Sequence, residues 1–451
     1  MKIAVVGMGK IGLPLAAQYA SAGHQVIGVD INVRTVETIN SAHEPFPGEA
    51  HLEQRLQELV PAGKLRATTD YSRAIPGADT VVIVVPLFVN DETWEPDLTI
   101  MDAATTAVGE NLTAGTLVSY ETTLPVGTTR NRFKPMLERL SGLKESQDFW
   151  MVFSPERVLT GRVFADLRRY PKLVGGLSAA GTQRGIEFYQ AVLQFDERTD
   201  LPQPNGVWDM GNAEAAEMAK LAETTYRDVN IGLANQFARF ADSEGIDVMK
   251  VIAACNSQPY SHIHRPGIAV GGHCIPVYPR LYLSTDPDAT VVRSARQANS
   301  EMPAYVVGRV DEALHRHGSS LRGSRVAVLG ASYRGGVKAT VFSGVFPTVK
   351  ELQQAGAVVE VHDPMFSEEE LRGFGFTPYQ LGDTVDAIIL QADHTEYRNL
   401  TAQDFPGAKV VFDGRGALCP DAFNDATYLR VGSGEGADGG ALSTARLATD
   451  A

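Results

Sequence analysis

Cys274 stands in the run Gly271-Gly272-His273-Cys274-Ile275-Pro276, a cysteine set between backbone-permissive glycines and a proline. A thiolate adds to an aldehyde carbon. The resulting thiohemiacetal can lose hydride to a nicotinamide and leave a thioester for water, so one site can carry an alcohol through to an acid. The alternative for Cys274 is burial as a small apolar residue, the usual fate of a free cysteine. A nucleotide-binding signature favours the chemical reading. Gly7-Met8-Gly9-Lys10-Ile11-Gly12 follows an apolar run and opens a helical stretch. In that context Gly7 permits a tight turn, Gly9 lets the backbone approach a pyrophosphate, and Gly12 lets helix and strand pack closely, while the helix N-terminus offers amide donors. Asp30 ends the next apolar run about twenty residues on, where a carboxylate accepts from ribose hydroxyls and repels a 2′-phosphate. NAD is therefore the expected cofactor, in preference to NADP.

The elements that must position these residues alternate between apolar runs and helical segments. Ile3 to Val6, Val26 to Asp30, Val81 to Val85 and Leu117 to Tyr120 read as strands, with a helix from Ile11 to Ala22. The same rhythm returns with strands at Arg325 to Gly330, Val358 to His362, Ala387 to Leu390 and Val410 to Asp413, and a helix from Phe346 to Ala355. Between them, Asn212 to Ser243 is alanine-rich, has no proline and has glycine only at Gly232, which predicts one or two helices. Such a helix must bury an apolar stripe, and a homodimer partner is one candidate to cover it. The expected class is α/β, two doubly wound Rossmann-like domains joined by a long central helical segment. The expected boundaries are 1–205 for cofactor binding, 206–300 for the central segment with Cys274, 301–431 for the second domain, and a disordered tail at 432–451, too glycine-rich and apolar-poor to order itself.

Composition narrows the class further. A length of 451 residues exceeds one ordinary core, and 44% hydrophobic with 21% charged residues is globular composition. No apolar run reaches the roughly eighteen residues needed to cross a bilayer, and Met1 to Gly7 reads as a first strand, not a secretory leader. Cys255, Cys274 and Cys419 are too few and too scattered for a disulfide framework or thiolate metal cluster, which fits a reducing cytoplasm. A formal charge of −14 disfavours nucleic acid as a partner.

Taken with the Gly-Gly-His-Cys-Ile-Pro run and the N-terminal fingerprint, the chain resembles the nucleotide-sugar 6-dehydrogenases, the UDP-glucose and GDP-mannose dehydrogenase family. That resemblance implies a four-electron oxidation of a sugar C6 hydroxyl to a carboxylate, with NAD as acceptor and Cys274 as nucleophile. Glu121-Thr122-Thr123-Leu124-Pro125-Val126-Gly127-Thr128 is similar to the family's Ser-Thr-Val-Pro-Val-Gly-Thr segment and puts Thr123 where a catalytic water and the nicotinamide are held. Ser154-Pro155-Glu156-Arg157-Val158 resembles the Asn-Pro-Glu segment, with Glu156 as the acid-base carboxyl. Its Ser-Pro-Glu-Arg-Val form looks more like the branch that oxidises UDP-N-acetylhexosamines. Lys220 in Glu217-Met218-Ala219-Lys220-Leu221 matches the lysine that stabilises negative charge at C6. By the same resemblance, cofactor contacts fall to Gly7, Gly9, Lys10, Ile11, Gly12, Asp30, Pro86 and Thr123. Substrate contacts fall to Glu156, Arg157, Lys220, Arg265, Gly271 and Arg334. Asn230 is a further, weaker candidate. No metal is implied.

The chain also departs from the family pattern. Tyr278 replaces an aspartate four residues after the cysteine, and Thr224 replaces an asparagine four residues after Lys220. In the second domain Arg334 stands at the usual lysine and Val341 at the usual arginine. These changes bear on nucleotide and sugar identity more than on reaction type. They leave open a dTDP-glucose substrate, a two-electron hydroxyacid-type dehydrogenase, or a catalytically idle NAD-binding paralogue.

Overall fold

The computed structural model describes residues 1–90, 93 and 95–434. They fall into two compact units: residues 1–223 with 280–287, and residues 224–279 with 288 onward.

The first unit is built on an eight-stranded sheet of β1 (Lys2–Val6), β2 (Gln25–Val29), β3 (Leu65–Thr68), β4 (Thr80–Ile83), β5 (Leu117–Tyr120), β6 (Trp150–Phe153), β7 (Lys172–Gly176) and β8 (Val207–Asp209). Their spatial order is 8-7-6-5-4-1-2-3. β1 to β6 run parallel in the 3-2-1-4-5-6 order of dinucleotide-binding sheets. β7 then pairs antiparallel to β6, with Phe153 opposite Gly175. Both faces of the sheet are covered, which is why its strands read as unbroken apolar runs. Ile3 and Val5 pack with Leu13, Ala16 and Tyr19 of helix α1 (Gly12–Ser21) and with Phe188 and Tyr189 of helix α2 (Ala179–Val192), whereas Ala4 and Val6 face Val108, Phe133 and Leu137. Each fully buried valine or isoleucine contributes roughly 1.5–3 kcal/mol.

The second unit holds a five-stranded, all-parallel sheet of β9 (Arg325–Leu329), β10 (Val358–His362), β11 (Ala387–Leu390), β12 (Val410–Asp413) and β13 (Thr427–Arg430), ordered 10-9-11-12-13. This is the other common doubly wound order, with its change of direction between β9 and β11.

The alanine-rich segment is one helix, α3 (Ala213–Glu244), 32 residues long. The division between the units falls inside it, after Glu223, where the sequence suggested a separate central segment at 206–300. The Asn212 side chain caps its start by accepting from Ala215 N at 2.8 Å, and Gly175 lets that start approach β7, since a Cβ there would lie 1.9 Å from Asn212 O. Gly232 has an equivalent reason: a Cβ would lie 3.0–3.1 Å from the Ala295 backbone of helix α4 (Thr290–Ser300). The far end of α3 anchors the chain beyond β13. Buried Asp242 accepts from Tyr305 OH, Gly432 N and Gly434 N at 2.8, 3.0 and 3.1 Å and pairs with Arg309. Gly432 and Gly434 are thus fixed although the sequence assigns them to a disordered tail; the rest of that tail, 435–451, lies outside the described residues. Among the described residues no helix is long and apolar enough to cross a membrane.

Candidate active site

The first unit's sheet reverses direction between β1 and β4, and the glycine motif lies at that point on the C-terminal edge. Gly7 has φ +94°, and a Cβ on it would sit 2.9 Å from Val84 O; a Cβ on Gly12 would sit 1.8 Å from Gly7 O. At Gly9 a Cβ would meet nothing within 4 Å, so its backbone is open to a ligand. Asp30, just past β2, accepts from Met8 N at 2.9 Å and Asn32 N at 2.8 Å and remains partly exposed. Exposed Lys10, half-buried Ile11 at the start of α1 and exposed Pro86 beyond β4 border the same edge. Phe46, Pro47, Glu49 and Thr160 line a small cavity with Gly9 and Lys10. A cradle closed to side chains at Gly7 and Gly12, open at Gly9 and flanked by a carboxylate fits a dinucleotide pyrophosphate and ribose.

Beside it, the ends of β5 and β6 carry Glu121 and Glu156. Because β7 runs the other way, its first residue, Lys172, meets them on the same edge. Lys172 Nζ lies 2.7 Å from Glu121 Oε2 and 3.1 Å from Glu156 Oε1, with all three side chains largely buried. Tyr19 OH and Tyr189 OH donate to Glu121 Oε1 at 3.1 and 2.7 Å. Burial pushes Glu156 above the ordinary glutamate range, Lys172 opposes that push, and the Glu121 charge adds to it. Next to Glu156, Arg157 donates from Nε to Glu223 Oε2 at 2.9 Å, and Lys220 Nζ lies 3.3 Å from Glu223 Oε1. The structure therefore brings Glu156, Arg157 and Lys220 together, and Glu156 is no surface acid. Lys220 is only 8% exposed, unlike the solvated lysine its helix position alone suggests.

Thr123 is buried on the strand end that carries Glu121. Its neighbour Thr122 donates from Oγ1 to Val85 O at 2.6 Å. The turn that follows is gripped by Glu217, one helical turn before Lys220 on α3. Glu217 accepts from Gly127 N at 2.5 Å, Thr129 N at 3.0 Å and Thr129 Oγ1 at 2.7 Å. Gly127 has φ +86°, and Thr129–Phe133 winds as a π-helical turn. Burial pushes Glu217 up to about 7 against the pull of those donors.

In the second unit Cys274 is exposed and not packed in a core. The loop leading to it is held from several sides. Gly272 N donates to Val341 O at 2.9 Å, and Gly272 has φ +93° with the Tyr333 ring 3.0 Å from where a Cβ would be; a Cβ on Gly271 would lie 2.8 Å from Phe342 O. Upstream, Asn230 binds His264 N and His262 O at 2.8 and 2.7 Å, and buried Asn235 accepts from Gly267 N at 3.0 Å while donating to Asn299 at 2.8 Å. Between those anchors Arg265 is exposed, as is Arg334 in the loop after β9. Arg415, which sequence reasoning passed over, donates to Gln391 O at 2.7 Å and Ala269 O at 3.1 Å. The Gln391 carboxamide is fully buried just past β11, with neither polar atom partnered among the described residues. Open α/β sheets take ligands at such a switch point.

Lys172, Glu121, Glu217 and Gln391 were all missed as site residues. The one local signal was a lysine opening the apolar strand Lys172-Leu173-Val174-Gly175-Gly176. The Glu217 geometry carries a pH prediction. The folded chain holds this proton up to about 7, whereas an ordinary glutamate releases it near 4.5. The stability contribution is thus complete below the lower value and lost as pH rises through the upper one. The thermal midpoint is expected to fall across that window, and to fall by about one proton's linkage less in Glu217→Gln; equal pH slopes in the two proteins contradict the assignment.

Three family descriptions match the chain: UDP-glucose/GDP-mannose dehydrogenase family, NAD binding domain, over residues 1–193; central domain over 214–301; and UDP binding domain over 327–420. The chain is 35% identical over 424 residues to UDP-N-acetyl-D-mannosamine dehydrogenase of Pyrococcus horikoshii, covering 93% of this chain and 96% of that one. It is 34% identical to NDP-N-acetyl-D-galactosaminuronic acid dehydrogenase of Ralstonia solanacearum, covering 92% and 95%. The solved UDP-D-ManNAc dehydrogenase of P. horikoshii superposes with TM-score 0.84 at 33% identity over 96% of this chain and 100% of that chain. The UDP-N-acetyl-mannosamine dehydrogenase of Staphylococcus aureus gives 0.81 at 30% identity over 96% and 99%. NAD is the cofactor, as the glycine motif and Asp30 lead one to expect. With all three parts matched in order along its length, the chain belongs to the UDP-glucose/GDP-mannose dehydrogenase family.

Proposed function

We propose that this protein oxidises the C6 hydroxyl of a UDP-N-acetylhexosamine to the carboxylate by two successive hydride removals. The observation that carries the reading is an exposed Cys274 on a loop held by Gly272, Asn230 and Asn235, in a chain whose relatives above are named as UDP-N-acetyl-D-mannosamine and NDP-N-acetyl-D-galactosaminuronic acid dehydrogenases. NAD, bound at the Gly7–Gly12 turn and Asp30, supplies the hydride acceptor, one molecule for each oxidation. The C6 hydroxyl proton passes to water as the first hydride leaves the carbon, and Lys220 offsets the negative charge that develops on the oxygen. The Cys274 thiolate adds to the aldehyde carbon and holds it as a thiohemiacetal; loss of the second hydride makes a thioester. Thr123 Oγ1 holds the attacking water, Glu156 takes its proton, and the C–S bond breaks to release the acid and the thiolate. Arg157, Arg265, Gly271 and Arg334 are assigned to the nucleotide sugar, with the buried Gln391 amide as a further polar group at the UDP-binding switch point.

The exposed side chains of α3 support a homodimer: Tyr226, Leu233, Phe237 and Phe240 repeat at seven-, four- and three-residue spacing along one face. Light scattering is expected to give twice the 48.6 kDa chain mass; a monomer at micromolar concentration contradicts the dimer. Assayed on UDP-N-acetyl-D-mannosamine, UDP-N-acetyl-D-glucosamine, UDP-glucose, dTDP-glucose and GDP-mannose, the protein is expected to prefer a UDP-N-acetylhexosamine and to form two NADH per acid. One NADH per substrate, or NAD binding without turnover on any of them, contradicts the reading. Cys274→Ala is expected to lower acid formation by orders of magnitude; undiminished acid output eliminates the covalent step.

A further inference from the structure

The cluster around Lys172 is larger than the hydrolysis step requires. Glu156 is faced by Lys172 from β7, by Glu121 from the end of β5 and by Lys220 from α3, while Tyr19 of α1 and Tyr189 of α2 close on Glu121 from behind. Two carboxylates share the buried Lys172 ammonium, while Lys220 and Arg157, both paired with Glu223, lie on the other side of Glu156. The hydrogen bonds distinguish the two carboxyl groups. Glu121 accepts from Lys172 and both tyrosines, three donors aimed at an anion. Glu156 accepts from Lys172 at the longer distance and from Arg157 N at 3.3 Å, and its Oε2 is buried without a hydrogen-bond partner among the described residues. Resting on the function proposed above, we propose that Lys172 is a positioning residue that shares its buried ammonium between Glu121 and Glu156, with Glu121 as its anchor and Glu156 as the carboxyl that gains and loses the catalytic proton.

The direction of each perturbation follows from Coulomb's law. Both Glu156 and Lys172 bind their protons more tightly than usual: burial leads the causes at each, raising Glu156, and at Lys172 it is outweighed by the two carboxylates. Glu156 must be ionised to take a proton from water, so acid formation rises with pH through its titration. Replacing Lys172 with methionine withdraws the cation that favours the ionised form and moves this limb to higher pH. Replacing Glu121 with glutamine withdraws the like charge and moves it to lower pH.

The test is the pH profile of kcat for acid release from UDP-N-acetyl-D-mannosamine in the full-length protein. Lys172→Met is expected to shift the acid limb up by about one pH unit or more, and Glu121→Gln to shift it down by about one. Lys172→Arg is expected to restore a profile near that of the unchanged protein. Should the lone methionine variant fail to fold, the Lys172→Met/Glu121→Gln double variant removes both charges together, and its limb is expected between those expected for the two single variants. Limbs that stay in place, or that move the same way in the Lys172 and Glu121 variants, overturn the assignment while leaving the dehydrogenase reading intact. No acid from the unchanged protein overturns both.

Discussion

A lysine ammonium buried between two carboxylates is the constraint around which the first unit's site is arranged. Such a charge is tolerated only when its partners are in place, because removing one strands the other in a medium that solvates ions poorly. The fold meets that requirement by reversing one strand. Had β7 continued the parallel pattern, Lys172 would open at the far edge of the sheet; running antiparallel to β6, it opens beside the ends of β5 and β6, where Glu121 and Glu156 emerge. The two tyrosines that complete Glu121 come from helices α1 and α2, which are also the core helices on that face of the sheet. Packing and electrostatics at this edge are therefore not separable: the tyrosines that fill the core also bind Glu121, whose charge faces Glu156.

Helix α3 adds a second constraint of the same kind. Within one turn it carries Glu217, which holds the backbone after Thr123, and Lys220, which reaches Glu223 next to Arg157. Rigid secondary structure thus fixes the spacing between the proposed nicotinamide-facing turn and the proposed oxyanion partner. In the second unit the equivalent work is done by side-chain amides, each able to donate and accept. Asn230 and Asn235 clamp the loop upstream of Cys274, and glycines at 271 and 272 admit the Phe342 backbone and the Tyr333 side chain at distances that a Cβ would crowd.

What the sequence made legible is what is local in the chain. The Gly7–Gly12 motif, Asp30 and the strands β1, β2, β4, β5 and β9 to β12 are recognisable because turn geometry and apolar runs are written in consecutive residues, and those strands lie within a residue or two of where the pattern puts them, whereas β3, β6, β7, β8 and β13 were not read from the sequence. Cys274 was a candidate from its own setting, whereas Thr123, Glu156 and Lys220 were legible only through family resemblance. What stayed hidden is long-range: Lys172 and Glu121 are 51 residues apart, and Glu217 and Thr129 are 88 apart. A lysine beginning a strand ordinarily signals a solvated end, and nothing in its neighbours announces that the strand is reversed. Asn230 and Asn235, five apart and so poor candidates for one shared ligand, instead grip successive points of one loop.

The most direct measurement is the protonation state of Glu156 itself, read by infrared difference spectroscopy between the unchanged protein and Glu156→Gln across a pH series. The account predicts a protonated-carboxyl carbonyl band that vanishes with the substitution and persists above the pH at which ordinary glutamates ionise. A band that disappears within the ordinary glutamate range, or that survives the substitution unchanged, would contradict a Glu156 poised by Lys172 and Glu121.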